Sequence, residues 1–276
     1  MNKLFSKLLL FFTGFSSSLV IFIFLLLSYL CIDLFNLNDI SNFLSFDWDV
    51  EKEKFGIATM LFSTMAISFN ALFLAFVFSF SICSIIFLSK NRYLIFFLEK
   101  TILLMSAIPT VIYAFAALMT IVPFISTYKP SSTLSILVAS IVLSLLLIPT
   151  MSLIFLNIFK TLSLKYQSTC LNLGLSRDDF FFKFVLKNSY KNMTGGVILA
   201  LSRAIGDTMI ALMLAGNALS FPTSIFDSSR TLTSHIALIF ANDFDSMAFK
   251  AIFFCAVLLL GSNFILIFII KSIRIK

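Results

Sequence analysis

Charge is scarce in this sequence of 276 residues: Asp, Glu, Lys and Arg together make up 12% of it. Soluble domains carry about 25% charged residues, so this chain lacks the polar side chains that would cover a water-soluble globule of its size. A cytosolic enzyme and a secreted domain are therefore excluded. Intrinsic disorder is excluded as well, because 60% of the residues are apolar and disordered segments have low hydrophobicity.

Metal-ligating residues are also few. His235 is the only histidine, and the four cysteines are spread singly without a CxxC pair. Since metal sites in proteins need several such ligands, we expect no metal in this chain. The cysteines are interpreted as small apolar packing residues; they are Cys31, Cys83, Cys170 and Cys255.

Motifs for nucleotide binding and covalent catalysis are missing too. The sequence contains neither a GxxxxGK[ST] phosphate loop nor a nucleophile elbow. We therefore expect a chain that is not an enzyme and binds no cofactor. If ATP drives this protein, another chain binds it.

Long charge-free runs are what the sequence has instead. A helix needs about 20 apolar residues to cross about 30 Å of hydrocarbon, and five runs reach that length. A sixth segment, about 193–218, is apolar except for Arg203 and Asp207. The sequence predicts an all-α polytopic membrane bundle of six transmembrane helices. The five charge-free runs are 8–32, 55–89, 101–128, 130–159 and 251–270.

The distribution of Lys and Arg predicts the orientation. With a cytoplasmic N-terminus, 14 of the 20 basic residues lie in inner segments and five in outer ones. Both termini are therefore expected in the cytoplasm, in a multi-pass protein of the inner (plasma) membrane. The first outer loop, 33–54, carries six acidic residues against two lysines. The first apolar run is too long for a signal peptide and no cleavage site follows it, so we interpret it as a retained helix.

Arg203 and Asp207 are the leading candidates for function. An ionisable residue inside a membrane span is costly and usually faces a bundle interior or an aqueous cavity. Their i, i+4 spacing predicts that both lie on one helical face, close enough to pair. A solvated arginine there would attract an oxyanion, and Asp207 would hold the guanidinium in position. The alternative is a buried ion pair that only fixes packing, although desolvation offsets much of the stability of such pairs.

The inner loop, about 160–191, is the second candidate. Gly174 is expected to end a short helix, and Ser176 followed by Asp179 is typical of the start of another. A helix–turn–helix at the membrane surface is a shape that a partner protein could grip. The alternative is a connector that meets lipid headgroups through its lysines.

Three prolines lie inside or near the ends of the third and fourth runs: Pro109, Pro123 and Pro149. Kinked or broken helices often form substrate cavities in transporters. Prolines also occur in ordinary membrane helices, so this pattern alone does not assign a function.

With these residues, the chain resembles the membrane permease subunits of type I ATP-binding-cassette (ABC) importers, most closely the phosphate permeases of the PstC type. Residues 202–209 read Ser-Arg-Ala-Ile-Gly-Asp-Thr-Met, similar to the Arg-Ala-x-Gly-Glu-Thr-Met of those permeases with Asp207 in place of Glu. Ala-Gly-Asn follows in both, which favours PstC over its partner PstA. The loop frame 168–174 resembles the Glu-Ala-Ala-x-x-x-Gly coupling motif, of which this chain keeps only Gly174. Further matches are 108–113, 230–233, and Trp48 before 55–57.

The resemblance implies one transmembrane permease domain over 1–276, with a core of about 56–270 and a cytoplasmic coupling loop of 160–191. The substrate pathway would include Arg203, Asp207, Thr208 and Asn217. Contact with an ATPase would involve Tyr166, Ser168, Gly174, Leu175 and Arg177.

The resemblance also implies import of inorganic phosphate, with ATP and Mg bound by a cytoplasmic ATPase dimer. The other expected partners are a PstA-like second permease subunit, an extracytoplasmic phosphate-binding protein and membrane lipid, but no nucleic acid. Three alternatives stay open: a permease for tungstate or molybdate, a membrane-embedded enzyme acting on lipid phosphates, and a passive anion channel.

Overall fold

The computed structural model of the chain describes residues 3–31, 45–49, 54–128, 133–242 and 247–275. These residues are mostly helical, with one small hairpin in which β1 (Trp48–Asp49) pairs antiparallel with β2 (Lys54–Phe55). A π-helical stretch, Phe180–Val185, joins the helices Arg177–Asp179 and Leu186–Gly206. In chain order the helices are α1 Lys3–Leu30, α2 Ala58–Leu88, α3 Arg92–Ala107, α4 Thr110–Tyr128, α5 Ile136–Asn172, α6 Arg177–Asp179, α7 Leu186–Gly206, α8 Met209–Leu214, α9 Leu232–Asn242 and α10 Met247–Ile275.

The predicted fold class, an all-α membrane bundle, is confirmed. Five of the described helices are long and apolar enough to cross a membrane, and they correspond to the five charge-free runs. The predicted count of six transmembrane helices is not exact for the described residues: five helices qualify as spans, and the sixth predicted segment, 193–218, is divided between α7 and α8. The five spanning stretches are Phe5–Leu30, Ala58–Leu88, Thr110–Thr127, Ile136–Asn172 and Ala248–Ser272.

The division between α7 and α8 has a local chemical cause. Asp207 has an extended backbone, with ψ at 125°. Its carboxylate Oδ2 accepts a hydrogen bond of 2.9 Å from the backbone N–H of Ile210. Aspartate caps helix N-termini in this way by satisfying an N–H that has no partner within the helix. Asp207 therefore starts a new helix where the apolar pattern predicted one continuous span.

Pro109 divides the third predicted run. Proline has no N–H and disfavours helical geometry at the residue before it, and Ile108 is accordingly extended, with ψ at 126°. Across this break the Tyr113 hydroxyl donates to the carbonyl of Met105 at 2.8 Å. The run 101–128 thus contributes the end of α3 and the whole of α4, whereas Pro123 and Pro149 lie inside α4 and α5.

Helix α5 forms the centre of the bundle and packs closely on α2. The Ser79 hydroxyl on α2 donates to the carbonyl of Ile148 at 3.1 Å, and the Cys83 thiol donates to that of Ser152 at 3.4 Å. Small residues let helices approach each other closely in a membrane. The free, buried state of all four cysteines agrees with their interpretation as packing residues. The small residues of α2 that recur every fourth position, all fully buried, are Ala71, Ala75, Ser79 and Cys83.

Helix α1 lies at the edge of this bundle. Most of its side chains are exposed, and it packs on α10, where the Phe24 and Phe264 rings meet edge to face at 5.8 Å. Of the predicted first outer loop, 33–54, residues 33–44 and 50–53 lie outside the described ranges.

Candidate functional site

Arg203 lies near the end of α7, and its side chain is exposed in the single chain. Its guanidinium donates to the hydroxyl of Thr150 on α5. Thr150 directly follows Pro149, which lies inside α5. One side of the Arg203 guanidinium is thus held where α5 contacts α7. In the described ranges its other N–H groups have no hydrogen-bond partner.

Asp207 does not share a helical face with Arg203, so the expected arrangement on one helix is wrong. The helix ends at Gly206, and no direct ion pair joins the two charges within the described residues. The guanidinium is still close enough for its charge to act on the carboxylate. Asp207 is held instead by Ile210, as above, and by the Thr233 hydroxyl, which donates to its backbone oxygen at 2.9 Å. Its predicted role in a substrate pathway stays a prediction.

The sequence did not assign a role to two residues around Arg203. Apart from its position after a proline, nothing in the sequence around Thr150 predicts its contact with Arg203. Tyr113, the last residue of the 108–113 match, lies within electrostatic range of the guanidinium. Since both belong to elements far from Arg203 along the chain, only the packing of the helices brings them to it.

Thr208 and Asn217 lie on either side of α8. The backbone oxygen of Thr208 accepts from the N–H of Leu212 at 2.8 Å. Asn217 has a φ of +58° and follows Gly216 at +87°; glycine and asparagine tolerate this left-handed region best. The Asn217 amide donates to the carbonyl of Leu212 at 2.7 Å, and its N–H donates to that of Ser229 at 3.2 Å. The Ala-Gly-Asn sequence therefore makes a tight turn beyond α8.

The predicted helix–turn–helix in the 160–191 loop is confirmed, but the expected short first helix is wrong, because the helix before Gly174 is the end of the 37-residue α5. Helix α5 continues to Asn172, and Gly174 follows with a φ of +84°. The Leu175 N–H donates to the carbonyl of Cys170 at 3.1 Å, which is the bond of a Schellman helix end. Ser176 then starts the next helix, because its hydroxyl accepts from the N–H of Asp179 at 3.1 Å.

Aromatic contacts fix this loop on the bundle. Phe180 and Phe181 are fully buried, and both rings contact Phe87 at the end of α2. The Tyr166 ring lies 5.1 Å from that of Phe184, which joins the two arms of the loop.

Polar contacts support the same arrangement. Arg177 donates to the carbonyl of Phe87 at 2.8 Å. Hydrogen bonds from Lys183 and Ser176 lower the pKa of Asp179 below its usual value. The turn itself is exposed, and Leu173 is 77% exposed there. A firmly held loop with an exposed tip is suited to contact a partner. The exposed residues from 168 to 174 are Ser168, Thr169, Leu171, Asn172, Leu173 and Gly174.

The sequence is similar to a known family and to several known permeases. The family described as binding-protein-dependent transport system inner membrane component matches residues 81–274. The chain is 30% identical over 176 residues to the probable ABC transporter permease protein YqgH of Bacillus subtilis, over 63% of this chain and 57% of that protein. It is 26% identical over 228 residues to the phosphate transport system permease protein PstC of Xylella fastidiosa, over 75% and 69% of the two chains. For PstC of Pasteurella multocida the identity is 26% over 211 residues, with 69% and 66% covered.

The chain thus spans 57% to 69% of the lengths of these relatives. Among solved structures, a chain of the MetNI methionine ABC transporter in an inward-facing conformation superposes with a TM-score of 0.63. That superposition covers 79% of this chain and 95% of the other at 13% identity. The likeness therefore concerns the fold.

Proposed function

The chain belongs to the family of binding-protein-dependent transport system inner membrane components, and from this premise we propose that it is the permease subunit of an ATP-driven importer of inorganic phosphate. The assignment of phosphate as the substrate rests on Arg203, whose guanidinium lies at a helix break within a membrane bundle. The sequence relatives named as phosphate permeases support the same substrate.

The exposure of Arg203 indicates where the pathway runs. An arginine at the centre of a membrane helix costs at least about 2.5–3.5 kcal/mol when it faces lipid. This side chain is exposed in the single chain. In the membrane it must therefore face a second subunit or a water-filled route instead of lipid. The pathway of this proposal lies between this chain and a PstA-like permease subunit, with Arg203 on its wall.

The chemistry of the guanidinium suits a tetrahedral oxyanion. Its planar fork forms two parallel charge-assisted hydrogen bonds to an oxyanion. Thr150 occupies one part of the fork, and the remaining N–H groups are left for the anion. The nearby negative charge of Asp207 would oppose tight trapping, so the anion could be released to the cytoplasm.

Helix α5 offers a mechanical connection to the energy source. It runs without a break from the level of Thr150 to Asn172 at the coupling loop, a distance of about 33 Å at 1.5 Å per residue. In this proposal a cytoplasmic ATPase dimer, which binds ATP and Mg, grips the exposed tip of the loop. Movement of that tip is transmitted along α5 to Thr150, which is hydrogen-bonded to Arg203 on α7. An extracytoplasmic phosphate-binding protein delivers the anion from the other side.

Competition uptake tests the substrate. Cells whose only copy of this chain is on an inducible promoter are given labelled phosphate with a tenfold excess of unlabelled phosphate, sulfate or tungstate. We expect induced uptake that unlabelled phosphate suppresses and that stops when cellular ATP is depleted. Stronger suppression by tungstate than by unlabelled phosphate would overturn phosphate as the substrate. Uptake that survives ATP depletion would instead favour a passive channel.

A further inference from the structure

Arg230 is the next arginine after Arg203 in the sequence and lies between α8 and α9. Its Nε donates to the backbone oxygen of Asn217 at 3.0 Å, and Asn217 closes the turn beyond α8. Helix α8 has six residues and therefore rises about 9 Å. By the predicted orientation the chain runs outward through α7 and α8, so Arg230 is the extracytoplasmic of the two cations.

Polar contacts fix the Arg230 segment on the helix break. The Thr233 hydroxyl reaches the backbone oxygen of Asp207 and lies 3.1 Å from the hydroxyl of Thr231. The N–H of Leu232 donates to the Thr64 hydroxyl on α2 at 3.0 Å. The segment that carries Arg230 is therefore positioned against the same break as Arg203.

His235 holds the Arg230 guanidinium from a second side. The Nη1 of Arg230 lies 3.5 Å from Nδ1 of His235. A guanidinium can only donate, so Nδ1 accepts and the ring proton is on Nε2. The ring is fully buried and packs edge to face on Trp48 at 4.2 Å. Burial, together with the charge of Arg230, lowers the pKa of His235 to about 3, so the ring stays a neutral acceptor.

No carboxylate in the described ranges pairs with Arg230, and both acceptors that hold it are neutral. Two buried polar atoms of those same holding residues, Oδ1 of Asn217 and Nε2 of His235, lack hydrogen-bond partners among the described residues. Orphan groups of this kind often mark a place that a ligand or water completes; here the N–H at Nε2 of His235 can donate to an anion, whereas Oδ1 of Asn217 can only accept. A positioned guanidinium without a carboxylate is typical of an oxyanion site.

We propose that Arg230 binds inorganic phosphate at the extracytoplasmic end of the route, before the anion passes α8 to Arg203. Asn217 and His235 act as positioning residues that keep the guanidinium fork in place. The assignment rests on the proposed phosphate import and adds an outer site to it.

The test is the concentration dependence of labelled phosphate uptake by Arg230→Gln in cells, expressed per assembled transport complex. Loss of a charge-assisted hydrogen bond should raise the KM for phosphate about tenfold or more, with the maximal rate largely kept because Arg203 is intact. Lys250→Gln, which removes an exposed charge at the start of α10, is the matched control and should keep the KM. His235→Leu should raise the KM, and His235→Asn, which restores a neutral acceptor, should raise it less.

An unchanged KM in Arg230→Gln overturns the outer site while leaving the proposed function intact. If that variant yields no complex, Arg230→Lys replaces it. Lysine keeps the charge but cannot hold both acceptors as a fork does, so a raised KM supports the site and an unchanged one overturns it. Absence of phosphate uptake by the wild-type complex would instead contradict the proposed function.

Discussion

Arg203 on α7 and Thr150 on α5 are joined by a hydrogen bond from the guanidinium to the hydroxyl. The contact connects the cation at the helix break to α5, whose far end leads into the turn at Gly174. It gives the proposed transport mechanism a physical link between the anion and the coupling loop, and each part of that link can be altered separately.

Thr150→Val should weaken phosphate uptake by releasing the guanidinium from its position. A hydrogen bond to a charged group contributes about 1.5–3 kcal/mol, so we expect the KM for phosphate to rise about tenfold. Thr161→Val is the control, because that hydroxyl lies on the same helix but bonds only to the carbonyl of Asn157. Equal KM values for the two variants would show that Thr150 does not position Arg203.

Asp207→Ala should destabilise the complex by removing the cap of α8. Loss of an N-cap costs about 1 kcal/mol, whereas asparagine caps about as well as aspartate. Thermal unfolding of the detergent-purified complex should therefore show a lower midpoint for Asp207→Ala than for Asp207→Asn. Asp178→Ala, which removes an exposed carboxylate in the loop, should change the midpoint little. Identical midpoints for Asp207→Ala and Asp207→Asn would contradict the capping role.

Gly174→Ala should loosen the grip of the ATPase partner. The left-handed φ of +84° costs a non-glycine residue about 1–2 kcal/mol, so the turn is expected to distort. Gly261→Ala is the matched control: neither glycine has atoms within 4 Å of an added Cβ, but Gly261 has no positive φ. We expect the ATPase to co-purify with the control and less with Gly174→Ala. Gly174→Asn should restore part of the association. Full co-purification with all three would place the docking surface elsewhere.

His235 should make the complex less stable in mild acid. Its pKa is lowered to about 3 by burial and by Arg230, against about 6.5 when unfolded. The unfolded chain therefore binds a proton that the folded chain does not. The free energy of unfolding should fall by up to about 1.4 kcal/mol per pH unit as the pH drops below about 6.5. His235→Asn should show a smaller fall between pH 7 and pH 5.5 in thermal unfolding. The same fall in both would mean that His235 titrates normally.

The spanning helices and the turn at Gly174 could be predicted from the sequence because their signals are local. Apolar length is read directly along the chain. The residues Gly174 and Ser176 each favour one end of a helix whatever surrounds them.

The helix break and the neighbours of Arg203 could not be predicted in this way. An aspartate one turn after an arginine fits an ion pair on one helix as well as the cap of a new helix. Which of the two forms depends on distant groups, among them the Thr233 hydroxyl on Asp207. Thr150 reaches Arg203 only through the packing of α5 on α7. Non-local contacts of this kind are absent from sequence periodicity.

The most direct test of the central claim is labelled phosphate uptake by cells that carry Arg203→Gln in place of the wild-type chain. The amount of the inserted complex is measured in the same cells, with Arg92→Gln, an exposed cation at the start of α3, as the control. We expect Arg203→Gln to abolish uptake at normal complex levels, and Arg92→Gln to keep it. Wild-type uptake by Arg203→Gln at micromolar phosphate would contradict the claim that this guanidinium holds the transported anion.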